Sequence, residues 1–338
     1  MLASFVMVFH SVSFLIIGQY VVYVFFMLSG YWVFKMYNEK YSHYEQSYWV
    51  YLQSRFLRLL PTYWIILLFA IIVSIVAHSF LHEVPNVPLG FNRIIIQNIL
   101  VLGLGNAQYQ FIVPAWSLDV EVQYYLVVPL LVLIGVKRSG GIALLSLGIL
   151  GFIYTNFFSA AKEIPPLITY IPFFLIGAAV YLYRISASEN FALFCLLIAS
   201  IILGLNYAIP SLRTNFFFNS AATVLIFNYQ EALDITLAIL TIPFMIINIH
   251  QKDVPKKDFL WSSMSYVIYL LHWPLLELYA LTVRNVSTVE KYIHILVYYA
   301  VCLFLSWLFS TYVDTYFESK RRTWLKTRKK KSKQVILT

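Results

Sequence analysis

Ionisable side chains stand inside long apolar runs of this sequence at His10, Asp119, Glu121, Asp234, His272 and Glu277. At membrane depth such a group costs ~2.5 kcal/mol or more, so it commonly faces a cavity and marks function. For each taken singly, a satisfied structural hydrogen bond is the competing reading. The densest polar group is Pro114-Ala-Trp-Ser-Leu-Asp-Val-Glu-Val-Gln-Tyr-Tyr-Leu126. On a helix Ser117, Glu121 and Tyr125, spaced by four, share a face, whereas Asp119 is turned ~200° from Glu121. Only one of the two carboxylates can then serve a site, and Glu121, with hydroxyl-bearing neighbours, is the candidate. Just before Pro61, Arg55-Phe-Leu-Arg58 sets two guanidinium groups three residues apart, neighbours on a helix. Paired arginine forks suit phosphate recognition. A topogenic charge pair on lipid phosphates is the alternative. Phe25-Phe-Met-Leu-Ser-Gly30 and Ser265-Tyr-Val-Ile-Tyr-Leu-Leu-His-Trp-Pro274 are local signals that helix packing with a proline kink would also produce.

The elements that position these residues follow from composition. Of 338 residues 61 % are hydrophobic, 18 % aromatic and 12 % charged, with a mean hydropathy of +0.76; a soluble domain carries roughly 25 % charge. The chain therefore reads as an all-α integral membrane protein. A bilayer core of ~30 Å needs ~20 apolar residues per helix. About ten segments qualify: 1–17, 20–37, 61–80, 115–136, 141–159, 167–183, 191–209, 232–249, 264–283 and 293–313. Two shorter stretches, 91–105 and 215–228, read as interfacial or re-entrant. Asn38–Leu60 is the main cytoplasmic loop and Leu81–Pro114 the longest outside connection.

Net charge is +9, and nine of the 24 lysines and arginines lie between Lys320 and Lys333. A basic stretch directly after a span fits a cytoplasmic topology signal near anionic lipid better than a nucleic-acid arm, since no aromatic pattern for base stacking accompanies it. Ten spans put both termini on one side. Placing the basic end in the cytoplasm leaves 19 lysines and arginines inside and five outside, the direction the positive-inside rule requires. The plasma (inner) membrane is the expected location. Cys195 and Cys302 sit in apolar runs, which excludes a disulfide framework, and no Cys/His spacing suggests a metal site. The first 34 residues are apolar well beyond the ~7–15 residues of a cleavable signal.

Five segments in this order resemble the acyltransferase-3 family of multi-spanning membrane O-acyltransferases over nearly the whole chain. They are Val8-Phe-His10, Phe25–Gly30, Arg55-Phe-Leu-Arg-Leu-Leu-Pro-Thr-Tyr-Trp64, Trp116-Ser-Leu-Asp-Val-Glu121 with Gln123-Tyr-Tyr125, and Ser265-Tyr266 through Tyr269-Leu-Leu-His-Trp-Pro274. Asp314-Thr-Tyr-Phe-Glu318 is similar to the family's closing segment. The resemblance implies a membrane acyltransferase domain over 1–318 and a basic cytoplasmic tail over 319–338. It implies transfer of acetyl, or another short acyl group, from cytoplasmic acyl-CoA to a hydroxyl of a cell-envelope or exported carbohydrate. No tightly bound cofactor is expected; acyl-CoA is a co-substrate, and the other partners are the carbohydrate acceptor and membrane lipid, not nucleic acid.

Carried onto this chain, His10 becomes the catalytic base, with Glu121 orienting it or binding the sugar. Arg55 and Arg58 hold the phosphates of the donor, and Ser29, Trp116, Ser117, Tyr125, Tyr269 and His272 line the substrate pocket. As a neutral imidazole His10 would take the proton of the attacking hydroxyl. Direct transfer and passage through an acylated residue both fit. The rival class is a ten-helix secondary transporter, for which buried carboxylates are equally natural. Transporters tend to show related halves, and the Arg pair and the Trp116–Glu121 cluster have no counterpart after residue 167. One further expectation concerns the start. The family usually carries Arg or Lys eleven residues before this histidine, a position two residues before Met1, so the complete protein is expected to supply it upstream.

Overall fold

A computed structural model describes residues 2–11, 18–81, 91–135, 138–157, 165–209, 229–251, 256–283 and 286–336. Among them every regular element is helical. In chain order these are α1 (Leu2–Ser11), α2 (Gly18–Met36), α3 (Ser47–Leu81), α4 (Phe91–Leu100), α5 (Trp116–Gly135), α6 (Arg138–Phe157) and α7 (Pro166–Leu182). There follow α8 (Glu189–Ala208), α9 (Tyr229–His250), α10 (Lys256–Thr282), α11 (Thr288–Leu308) and α12 (Thr315–Ile336). Six stretches of the described residues are long and apolar enough to cross a membrane: Gly18–Tyr41, Ser47–Ala77, Val113–Gly135, Glu189–Ala208, Glu231–His250 and Val289–Lys329. Ser139–Thr155 and Pro166–Leu182 are apolar but shorter. Each of the ten expected spans overlaps a helix, although residues 12–17 of the first lie outside the described residues, as does the 215–228 stretch.

The third span corrects the sequence reading. Residues 47–60, assigned to the cytoplasmic loop, continue the helix, which runs unbroken through Pro61. Proline removes one backbone donor and usually kinks a helix interior. Here the apolar helix continues past it to Leu81. The stretch 91–105 resolves into α4 followed by short turns. Ten residues at 1.5 Å each are ~15 Å, too short to cross a bilayer core of ~30 Å. Two bonds tie α4 to α3: the Tyr63 hydroxyl donates to the Asn98 carbonyl (2.7 Å), and Trp64 Nε1 to that of Ile99 (2.9 Å).

The helices divide between two compact units. The first comprises Met1–Ser13, Glu39–Leu126 and Pro255–Thr338. Within it α1 and α3 pack on α10, α11 packs on α10, and α12 packs on α3. From α11 the chain passes through a wider turn, Phe309–Asp314, directly into α12, so the basic segment is a helix. The second unit comprises Phe14–Asn38 and Val127–Val254. There α2 lies along α7 so closely that a Cβ on Gly30 would strike the Phe174 backbone, and one on Gly177 the Met27 backbone. Tyr23 stacks on Phe173 at 4.2 Å and Phe26 on Phe174 at 4.6 Å, sealing the same contact. The apolar residues Phe191, Leu193, Phe194, Leu197 and Ile201 of α8 are exposed, a surface suited to lipid.

Candidate active site

The chemistry-bearing residues singled out from the sequence fall in the first unit, except Ser29, half-buried on α2, and Asp234, buried on α9, which belong to the second. The first group gathers around His10. Its half-buried ring stacks on that of His272, with centroids 5.5 Å apart and planes 24° off parallel, and meets Trp273 edge-on at 5.5 Å. His272 is fully buried. Its Nδ1 lies 3.0 Å from the Ile268 carbonyl, which can only accept, so Nδ1 carries the hydrogen. In the neutral ring Nε2 is then an acceptor, and it has no partner. An unsatisfied buried polar atom costs about 1–3 kcal/mol.

One turn along α10, Tyr269 meets α5. The Ser117 and Tyr269 hydroxyls are 2.7 Å apart, and both lie close to the Pro114 carbonyl, at 3.1 and 2.9 Å. One turn further on α5, the Tyr125 hydroxyl donates to Glu121 Oε1 at 2.6 Å. The four-residue spacing of Ser117, Glu121 and Tyr125 thus makes one polar face. The Tyr125 ring lies against the Arg55 guanidinium, which links this carboxylate's partner to α3.

Asp119 points elsewhere, as the helical rotation requires. It accepts from the Gly103 N–H (3.1 Å), the Gly105 N–H (2.8 Å) and Gln123 Nε2 (2.8 Å). Gly103 takes a φ of 71°, in the left-handed region open to glycine. This carboxylate holds the turns that follow α4.

Arg55 and Arg58 are helical neighbours on α3 but serve different surroundings. Arg55 is buried, its guanidinium 5.8 Å from each of the Tyr41, Tyr51 and Tyr125 rings. Arg58 Nη1 instead donates to both oxygens of buried Asp314, at 3.2 and 2.9 Å. Asp314 also accepts from Thr62 (3.2 Å) and Ser263 (2.7 Å), and Ser310 donates to Ser263 (2.9 Å). Beyond it, Glu318 binds Arg321 and Arg322, each at 2.7 Å, and Arg321 Nη1 reaches Ser54 at 2.8 Å. Tyr41, Tyr51, Ser263 and Arg321 were not singled out from the sequence, and Thr62 was quoted there only as part of the Arg55–Trp64 segment. Their only signal there is position: Tyr51 and Thr62 stand four residues from the paired arginines, and Ser263 and Arg321 flank two of the family-like segments.

Read along α10, polar groups recur every three residues at Ser263, Tyr266, Tyr269 and His272, a span of ~13.5 Å. The histidine pair stands at one end of this run, Ser117 meets it at Tyr269, and the Arg58–Asp314 pair meets it through Ser263 at the other end. No cluster of metal-ligating side chains occurs among the described residues. A proton acceptor, a carboxylate and guanidinium groups gathered in one unit suit acyl transfer to a hydroxyl.

No curated protein and no solved structure matches the chain. The model of one family, described as an acyltransferase domain, matches residues 1–313. With its helices of membrane-spanning length and nearly all of its sequence covered by that match, the chain belongs to the acyltransferase-3 family of multi-pass membrane acyltransferases.

Proposed function

We propose that this protein transfers acetyl, or another short acyl group, from cytoplasmic acyl-CoA to a hydroxyl of a cell-envelope or exported carbohydrate, in the plasma membrane with both termini cytoplasmic. The observation that carries the reading is the chain of contacts from the stacked His10–His272 pair through Tyr269 to Ser117, on the helix face it shares with Glu121 and Tyr125, and from the Tyr125 ring to Arg55. His10 takes the proton of the acceptor hydroxyl as its oxygen attacks the thioester carbonyl. The new C–O bond forms, the C–S bond breaks, and the thiolate of CoA leaves and recovers the proton. Glu121, buttressed by Tyr125, orients the acceptor or the base. The arginines face the donor phosphates: Arg55 from its tyrosine cage, Arg58 with the part of its fork that Asp314 does not use.

Mass spectrometry of surface glycans from cells with the protein, without it and with His10→Ala tests this. The acyl mass increment should be present only with the intact protein. His10→Ala should lose ~10² to 10⁴ in rate, the usual worth of a general base. Glycans unchanged on deletion, or His10→Ala within a few-fold of wild type at equal expression, would overturn the reading.

A further inference from the structure

The base pairs with a second imidazole that the transfer step does not use. His272 is fully buried, its Nδ1 hydrogen is committed to the Ile268 carbonyl, its Nε2 has no partner, and its ring stacks on that of His10. Were the ring only filling space between helices, an aromatic hydrocarbon would do so without an orphaned acceptor. The backbone hydrogen bond fixes the tautomer that leaves Nε2 able to accept, and the Tyr298 hydroxyl, bonded to the His272 carbonyl at 3.1 Å, steadies the same turn of α10. Two near-parallel imidazoles 5.5 Å apart present two proton-accepting rings side by side.

We propose that His272 Nε2 accepts a hydrogen bond from a second hydroxyl of the acceptor, next to the one that His10 deprotonates, so that the enzyme selects acceptors carrying neighbouring hydroxyl groups. The inference rests on the acyltransferase reading and adds to its acceptor a required pattern, two adjacent free hydroxyls rather than one isolated, and the residue that reads it. An acceptor lacking the second hydroxyl leaves the buried nitrogen unpaired, which is the circumstance in which a site discriminates most strongly. His272 is here a specificity-determining contact, while His10 remains the base.

The test uses the full chain in lipid nanodiscs with acetyl-CoA as donor and two rigid acceptors of similar size, cyclohexanol and 1,2-cyclohexanediol. Wild type should favour the diol by at least tenfold in kcat/KM, mostly through KM. His272→Phe, which keeps the ring but not the acceptor atom, should bring that ratio near one. His272→Gln, which restores an oxygen close to the position of Nε2, should recover most of it. Equal use of the two alcohols by wild type, or a preference that survives His272→Phe, overturns the inference while leaving the acyltransferase reading standing. Turnover of neither alcohol, with acetyl-CoA left intact by wild type, overturns both.

Discussion

Arg58 of α3 and Asp314, 256 positions later, form a two-pronged contact in which one guanidinium nitrogen meets both carboxylate oxygens at 3.2 and 2.9 Å. Thr62 and Ser263 complete the shell of the carboxylate, so one aspartate joins α3, α10 and the turn that opens α12. The pair aims an arginine expected to meet the donor and fastens the end of the chain to the unit that holds the base. Asp314→Ala should cost about 2–4 kcal/mol, below the loss from a fully buried pair because the Arg58 side chain remains 33 % exposed. Thermal unfolding in detergent reads this loss. An unchanged transition would mean that the pair holds nothing.

Arg55 tests the other half of the arginine pair. Caged by three tyrosine rings, it can stack a planar guanidinium where a lysine ammonium cannot. Arg55→Lys should raise the Kd for acyl-CoA about tenfold, roughly 1.4 kcal/mol, with little change in acceptor KM. Donor binding measured in detergent decides it, and an unchanged donor Kd would assign Arg55 to packing and topology.

Asp119 is predicted to matter for stability alone. Removing its carboxylate leaves the Gly103 and Gly105 N–H groups and Gln123 without their acceptor. Asp119→Ala should cost ~2–4 kcal/mol, on the order of two unsatisfied buried groups. Limited proteolysis should then cut within residues 101–112 much faster. Faster cleavage with residual transfer activity is the expected signature; loss of activity with unaltered cleavage would instead place Asp119 in the chemistry.

Gly177 of α7 faces the Met27 backbone of α2 with no room for a methyl group. A backbone cannot yield as a flexible side chain does, so Gly177→Ala should destabilise beyond the ~1–3 kcal/mol of ordinary overpacking. Gly204 of α8, with open space where its Cβ would stand, is the control: Gly204→Ala should be neutral or slightly stabilising. Folded yield by size-exclusion chromatography separates the two, and equal yields would refute the close crossing.

The sequence by itself determined whatever depends on local repetition. Long apolar runs set the helical membrane class, and the four-residue spacing from Ser117 to Tyr125 put Glu121 on one face and Asp119 on another, because helical rotation is a property of neighbouring residues. The i, i+3 relation of Arg55 and Arg58 was legible for the same reason, but their separate fates were not. Which side chain meets a caged tyrosine cluster and which meets Asp314 depends on helices brought together from distant parts of the chain. Continuity of α3 through Pro61 was likewise hidden, since proline's local penalty points to a boundary although the helix runs across it. The pairing of His10 with His272 belongs only to the tertiary structure: neither spacing nor composition signals that α1 and α10 pack side by side, and their contact alone makes two lone histidines a pair.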